Sequence, residues 1–420
     1  MNHTPRTRTV VSCALLVTAL GACVTACGSD GGNPLSAKPY DAADIVSFNG
    51  PTEAGKRADP DKPLEITAEG DDSITDVTVQ DSAGRYVAGE LAADGSRWHS
   101  AAPLAANTHY TVAVSTEDDD GAPGRKVFAF DTSRPSSKKR LTVTFGPKSG
   151  QYGVGQPITA QLDQAVKDKA QRAIVERALR VDSTPAVQGS WYWVSDKELH
   201  YRPQEYWPTH TTITVHSNLD GIKISDRLWG GKSKPVKLTI GDRIEAVTDA
   251  AAHQLTFYKN GQDIKRIPVT TGKPGYDTRN GIKVVLEKSY VVRMRGTTIG
   301  IAAGSSDSYD LSVYYATRVT WSGEYVHAAP WSVGSQGYAN VSHGCTGMSN
   351  GNAQWFFDNI HQGDIVKVVN SNGHQMEDFG NGFGDWNVDW TKWRKGSALT
   401  NGKADSPSEA DTVRLQPAAL

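Results

Sequence analysis

The sequence predicts a mainly β protein built in series: two β-sandwich units, then a mostly β domain with one short helix, then a tryptophan-rich strap. Three observations carry this. Apolar and polar residues alternate in short runs along most of the chain, which is the period of half-buried strands. Turn-forming clusters interrupt those runs every ten residues or so. A length of 420 residues exceeds one ordinary domain. Hydrophobic content of 38%, charged content of 21% and a net charge of −2 describe a globular chain. They offer no basic surface for nucleic acid.

The first 27 residues read as a targeting segment. Arg6 and Arg8 precede the uncharged apolar run "VVSCALLVTALGACVTAC". That run ends in small residues, as a signal peptide does. "LGAC" and "VTAC" resemble the bacterial lipobox, whose cysteine is lipidated after cleavage. Cys27 is the better acceptor than Cys23, because the flexible "GSDGGNPLSAKP" follows it as a tether through residue 40. The expected location is the outer face of the membrane, held by lipid rather than by a spanning helix.

Residues 41–135 form the first expected sandwich, with strands at "LEITAEG", "ITDVTVQDSAG" and "YTVAVSTEDDDG". "PLAANTHYTVAV" resembles a late strand of an immunoglobulin-like sandwich, with Tyr110 as its corner tyrosine. Residues 136–241 form the second. "DQAVKDKAQRAIVERALRV" has helical spacing, with Ala165, Val166, Ala173, Ile174 and Leu179 on one stripe. Trp191 and Trp193 share a strand face, as sandwich core or as a sugar-stacking platform. Residues 242–370 read as hairpins, "KNGQ" making one turn, with a helix over "NGNAQWFFDNIHQGD" that ends near Gly363. In the strap, residues 371–400, Trp386, Trp390 and Trp393 align if helical. Residues 401–420 have the composition of a disordered tail.

Chemistry concentrates at "NVSHGCTGMSN". Cys345 is the sole cysteine beyond residue 27, so no disulfide framework exists and the thiol has no internal partner. A thiol attacks as thiolate, and a nearby imidazole that takes its proton forms a thiolate–imidazolium pair. His343, two residues away, and His327, in "SGEYVHAAP", are both candidates for that base. Gly344 permits a sharp turn, and the amides around Gly344 and Cys345 are placed to receive an oxyanion. A helix starting just after the cysteine adds a positive dipole end. Two other readings remain: a buried core cysteine, and a zinc site of His327, His343 and Cys345.

The stretch "YVHAAPWSVGSQGYANVSHGCTGMSNGNAQWFFDNIHQGDIVKVV" resembles the catalytic segment of the L,D-transpeptidases of bacterial cell walls. "VTTGKPGYDTRNGIKVV" is similar to the Thr-Gly-Lys turn of that family. The resemblance spans about residues 243–370, and immunoglobulin-like units before it fit the actinobacterial lipoprotein branch. It implies Cys345 as nucleophile, His327 as base, and His343 and Gly344 shaping the pocket. Ser342 supports by hydrogen bonding, Tyr309 assists the oxyanion or substrate carbonyl, and Met294 sits on a flap over the donor. Trp331 and Asn350 complete the implied substrate contacts. The implied substrates are peptidoglycan stem peptides, joined as 3→3 crosslinks with loss of D-alanine, and the implied inhibitors are carbapenem-type β-lactams. No cofactor or metal is implied. Hydrolysis of the same intermediate, an L,D-carboxypeptidase, and a catalytically decayed wall-binding lipoprotein are the alternatives. The sequence departs from the family pattern at Ala328, where a polar residue often follows the base, and at Gly347, where Arg or Asn is commoner.

Overall fold

A computed structural model of the chain describes residues 38–51 and 55–400. The targeting segment with Cys23 and Cys27, most of the tether and the tail at 401–420 lie outside the described residues.

Two four-stranded sheets make the first unit. One runs in the order Tyr40–Asp41, Pro123–Asp131, His109–Glu117, Ser73–Asp81; the other Val46–Phe48, Glu65–Ala68, Arg97–Ser100, Gly89–Leu91. Their inner faces close over Ile66, Trp98, Val112, Val114 and Phe130, each at most 6% exposed. Burial of these alternate positions is what the period-2 pattern encodes. Tyr110 is a corner tyrosine: its buried hydroxyl accepts the Ala105 N–H at 2.9 Å, five residues upstream.

The second unit repeats the architecture, with sheets ordered Val143–Gly146, Ile158–Leu162, Glu198–Pro203, Gly189–Trp193 and Gly150–Tyr152, Val236–Ile240, Thr212–Ser217, Leu179–Thr184. Trp191 and Trp193 are buried in its core, which leaves no platform for a sugar. The helix is shorter than its apolar stripe suggests and spans Lys169–Ala178. Asp168 caps it, accepting the Gln171 N–H at 3.0 Å, so Ala165 and Val166 precede it. Leu179 already begins the next strand.

The third unit joins a five-stranded sheet, Gln262–Pro268, Gln254–Lys259, Ile244–Asp249, Ile365–Val369, Gly281–Val284, to a four-stranded one, Glu287–Arg295, Asp310–Arg318, Tyr325–Ala328, Thr346–Met348. The helix Asn350–Asn359, capped by Ser349, buries Ala353 and Phe356 against Phe257. It ends at Asn359; Gly363 instead lies in the following turn, at φ 90°. The second and third units are fused rather than tethered. Gly153 and Gly155 donate backbone bonds to Gln362 and Gly363, both at 2.9 Å. A Cβ on Gly153 would stand 2.1 Å from Asp364 Oδ1, so glycine permits this close approach.

The strap locks the same junction, though not as one helix. Trp386 lies in the short turn Asp385–Asn387, and Trp390 and Trp393 lie in the separate helix Trp390–Lys395, whose cap is Asp389. The three rings meet at the Arg202 guanidinium, whose carbon is 4.9, 5.4 and 4.4 Å from their centroids. Beside them, buried His200 places Nδ1 2.6 Å from Asp385 and Nε2 3.1 Å from Glu198. Burial alone would lower the imidazole's pKa, but Asp385 and then Glu198 raise it to about 9. A folded value above the ordinary 6.5 makes the imidazolium the stabilising form. Its contribution, on the order of 3 kcal/mol, is complete below pH 6.5 and is lost as pH rises through about 9. Thermal unfolding of wild type and Asp385→Asn at pH 6 and pH 9.5 checks this: the difference between their midpoints should be large at the lower pH and shrink at the higher.

Candidate active site

Two short parallel strands set the geometry. Tyr325–Ala328 pairs with Thr346–Met348 so that His327 lies opposite Gly347 and Val326 opposite Thr346. Cys345 is two residues before Gly347, so its side chain emerges on the face that His327 occupies. From strand spacing and rise, the two Cα atoms are about 8 Å apart. Imidazole and thiol thus share one face, with Gly347, which has no side chain, opposite His327. They open into a cleft of about 880 Å³.

His327 is 5% exposed and its Nδ1 is 2.8 Å from the Ala328 carbonyl. A carbonyl only accepts, so Nδ1 carries the proton and Nε2 presents its lone pair. Burial holds the imidazole below its ordinary pKa. The orienting group is backbone, so the alanine at 328 costs the site nothing. The exposed Trp331 ring lies 6.2 Å from the imidazole, at the cleft mouth.

The Cys345 thiol donates to the Gly323 carbonyl at 3.6 Å. Although part of its surface reaches the cleft, burial pushes its pKa up to about 12. The Tyr325 N–H opposes this and Glu324 adds to it. Both shifts favour the uncharged forms, neutral thiol and neutral imidazole, over a thiolate–imidazolium pair. The helix dipole does not intervene, because four extended residues, the strand Thr346–Met348 and the cap Ser349, separate Cys345 from the helix start. At about 3.3 Å per residue that distance exceeds the dipole's reach.

The loop before the thiol is held by its own groups. Gly344 takes φ 115°, a conformation that L side chains rarely adopt. Its N–H donates to Ser342 Oγ at 3.1 Å, and that hydroxyl donates to the Cys345 carbonyl at 2.6 Å. The Gly344 amide is thus committed within the loop rather than aimed at the cleft. Its carbonyl accepts from buried Thr278 Oγ1 at 2.8 Å. His343 is half-buried between Tyr276 and Tyr309, ring centroids at 4.7 and 5.0 Å. Its Nε2 is 3.7 Å from Asp307, which pairs with Lys273, and burial, then Lys273, lowers its pKa. It forms wall, not partner.

Tyr309 lines the cleft near enough for Cys345 to add to the rise in its phenol pKa, after burial. Met294, paired in register with Leu311, packs against the cluster of Val313, Ala316 and Tyr325, as Cys345 does. Asn350 is not brought to the site: it is the exposed first residue of the helix and does not line the cleft. Among the described residues no group of three His, Cys, Asp or Glu side chains is arranged to hold a metal. Lys283 and Glu324, not expected as site residues, form a buried pair at 2.5 Å beneath the thiol. The available signal was a charged residue inside each of two apolar strand segments, "GIKVV" and "EYVHA".

Thiol, imidazole and cleft on a mostly β domain have the chemistry of a cysteine acyltransferase. The pattern of the bacterial Ig domain matches residues 55–223, and that of the L,D-transpeptidase catalytic domain, YkuD, matches residues 243–368. L,D-transpeptidase 2 of Mycobacterium tuberculosis (strain CDC 1551 / Oshkosh) is 35% identical over 394 residues, 92% of this chain and 94% of that protein. L,D-transpeptidase 5 of Mycobacterium tuberculosis (strain H37Rv) is 32% identical over 412 residues, 95% of this chain and 88% of that protein. A solved structure of the LD transpeptidase LdtMt1 in complex with imipenem is 37% identical, covers 54% of this chain and 99% of that chain, and has a TM-score of 0.47. The chain belongs to the L,D-transpeptidase family and is an enzyme of that class.

Gly347, where Arg or Asn is expected from the resemblance, is tightly enclosed. A Cβ there would stand 2.9 Å from Ala329 Cβ and 3.1 Å from Thr270 Cγ2. Its backbone is also bonded both ways to Thr270, at 2.8 and 3.0 Å. Gly347→Asn should therefore destabilise by about 1–3 kcal/mol, as overpacking does, and lower activity at least tenfold. A denaturant melt and a turnover assay check this; a variant as stable and active as wild type contradicts the packing account.

Proposed function

We propose that Cys345 is the nucleophile and His327 the general base of an L,D-transpeptidase reaction on peptidoglycan stem peptides. The observation that supports it best is the Nδ1–Ala328 hydrogen bond, which leaves His327 Nε2 unprotonated on the face that carries the thiol. The donor is a tetrapeptide stem whose third residue is a diamino acid. As Cys345 Sγ bonds to the carbonyl carbon at the L-centre of that residue, its proton passes to Nε2. A thiolate is unfavourable at this position, so the two events are concerted. With the Gly344 amide held by Ser342, the oxyanion falls to the Cys345 N–H and the Tyr309 hydroxyl. Such donors contribute on the order of 3 kcal/mol each.

Collapse of the tetrahedral species breaks the C–N bond. D-alanine leaves with the proton from Nε2, and a thioester remains. The side-chain amine of an acceptor stem then attacks the thioester and gives its proton to Nε2. The expelled sulfur recovers that proton, and the product is a 3→3 crosslink. Carbapenems acylate the same sulfur by opening their lactam ring. The chain works outside the cell membrane, on a lipid anchor at Cys27.

Intact-mass analysis with a carbapenem tests the nucleophile. One equivalent should add to wild type and none to Cys345→Ala, while His327→Ala should acylate at least a hundredfold more slowly. An adduct on Cys345→Ala, or none on folded wild type, sinks the assignment. Product analysis with an acceptor peptide separates crosslinking from hydrolysis. Loss of Cys27→Ser from the membrane fraction checks the anchor.

A further inference from the structure

Beneath the thiol lies a charged cluster that none of these steps uses. Lys283 is fully buried, and its Nζ donates to Glu324 Oε2 at 2.5 Å and to the Arg279 carbonyl at 2.8 Å. Glu324, 6% exposed, accepts at Oε1 from the Arg279 N–H at 3.0 Å and from Arg279 Nη1 at 3.2 Å. The Arg279 guanidinium also reaches Glu377, at 3.2 Å. Taking ions out of water costs several kcal/mol each, and such a pair adds little net stability over an apolar one. Its place in the site suggests what it does instead.

Glu324 stands between the two residues whose backbones touch the nucleophile. The Gly323 carbonyl accepts the thiol proton, and the Tyr325 N–H faces the sulfur. Thr320 Oγ1 holds the Glu324 N–H at 2.9 Å. Two residues beyond Tyr325 comes His327. A carboxylate anchored at both oxygens therefore fixes the tripeptide that sets the sulfur's position relative to the base. Lys283 and Arg279 supply the anchor from the strand Gly281–Val284 and the segment before it, across the junction between the domain's two sheets.

We propose that the buried Lys283–Glu324–Arg279 cluster positions the nucleophile, holding Gly323–Tyr325 against Cys345 and so fixing where the sulfur sits. This rests on Cys345 as the nucleophile. It makes Glu324 a positioning residue: although it borders the cleft, both its carboxylate oxygens are taken by Lys283 and Arg279, so its loss should slow acylation without weakening encounter.

The test uses the full chain and a carbapenem, reading the first-order acylation rate and the half-saturating concentration separately. Glu324→Gln keeps an acceptor for Arg279 but loses the charge that holds Lys283. Its acylation rate should fall at least tenfold, with half-saturation within twofold of wild type. The double variant Lys283→Met/Glu324→Leu leaves no buried charge in the pair and covers the case in which Glu324→Gln does not fold; the same split is expected. A folded variant with the wild-type rate overturns the inference, as does a rate loss matched by an equal rise in half-saturation. If wild type itself forms no adduct at Cys345, the functional reading fails, and that outcome is distinct from either of these.

Discussion

The site depends on the parallel pairing of two very short strands, Tyr325–Ala328 and Thr346–Met348. Parallel neighbours keep a fixed register, and side chains alternate faces along each strand. A one-residue slip would turn either His327 or Cys345 to the opposite side. The register is pinned from several directions. Ala329 N–H donates to the Met348 carbonyl at 2.7 Å, Thr270 bonds both ways to Gly347, and Met348 is buried in the domain core. Gly347 lies opposite His327 and two residues after Cys345, and its missing Cβ is what lets Ala329 and Thr270 close in. A position where the sequence departs from the pattern it resembles is, in the fold, a packing requirement.

Burial decides the electrostatics. Desolvation raises the thiol pKa and lowers that of the imidazole, so burial disfavours the charged form of each. A neutral thiol is a poorer target for oxidants, which prefer exposed thiolates. That bears on the unpaired cysteine of a chain proposed to work outside the cell. The nucleophile is made at the moment of attack, by a base whose tautomer is already fixed, rather than held ready as an anion. Around the pair, the Ser342 and Thr278 hydroxyls and the Lys283–Glu324–Arg279 cluster spend their hydrogen bonds on geometry.

Much of this was legible in the sequence where local rules dominate. Alternation marked the strands, the aromatic strand face of Trp191 and Trp193 marked a core, and Tyr110 marked a sandwich corner. The Ser-His-Gly-Cys segment marked the site, and its likeness to a family pointed to His327 over the nearer His343. Illegible features were those set by tertiary partners. The helix after Asp168 starts where a cap allows, not where the apolar stripe begins. Trp386, Trp390 and Trp393 converge through Arg202, 184 or more residues away in sequence, rather than through a shared helix. The Gly344 amide turns inward because Ser342 Oγ claims it, and Asn350 is the exposed first residue of a helix that Ser349 caps. Lys283 and Glu324 stood in apolar runs forty-one residues apart, and only the fold shows that each answers the other.

The central claim is that the resting site is uncharged, thiol and imidazole alike. It is tested most directly by the pH dependence of iodoacetamide alkylation at Cys345 in the free enzyme. With the thiol pKa near 12, the rate should be low at neutral pH and still be climbing at pH 10. A rate that rises in weak acid and is flat from pH 6 upward would reveal a preformed thiolate–imidazolium pair and contradict the account.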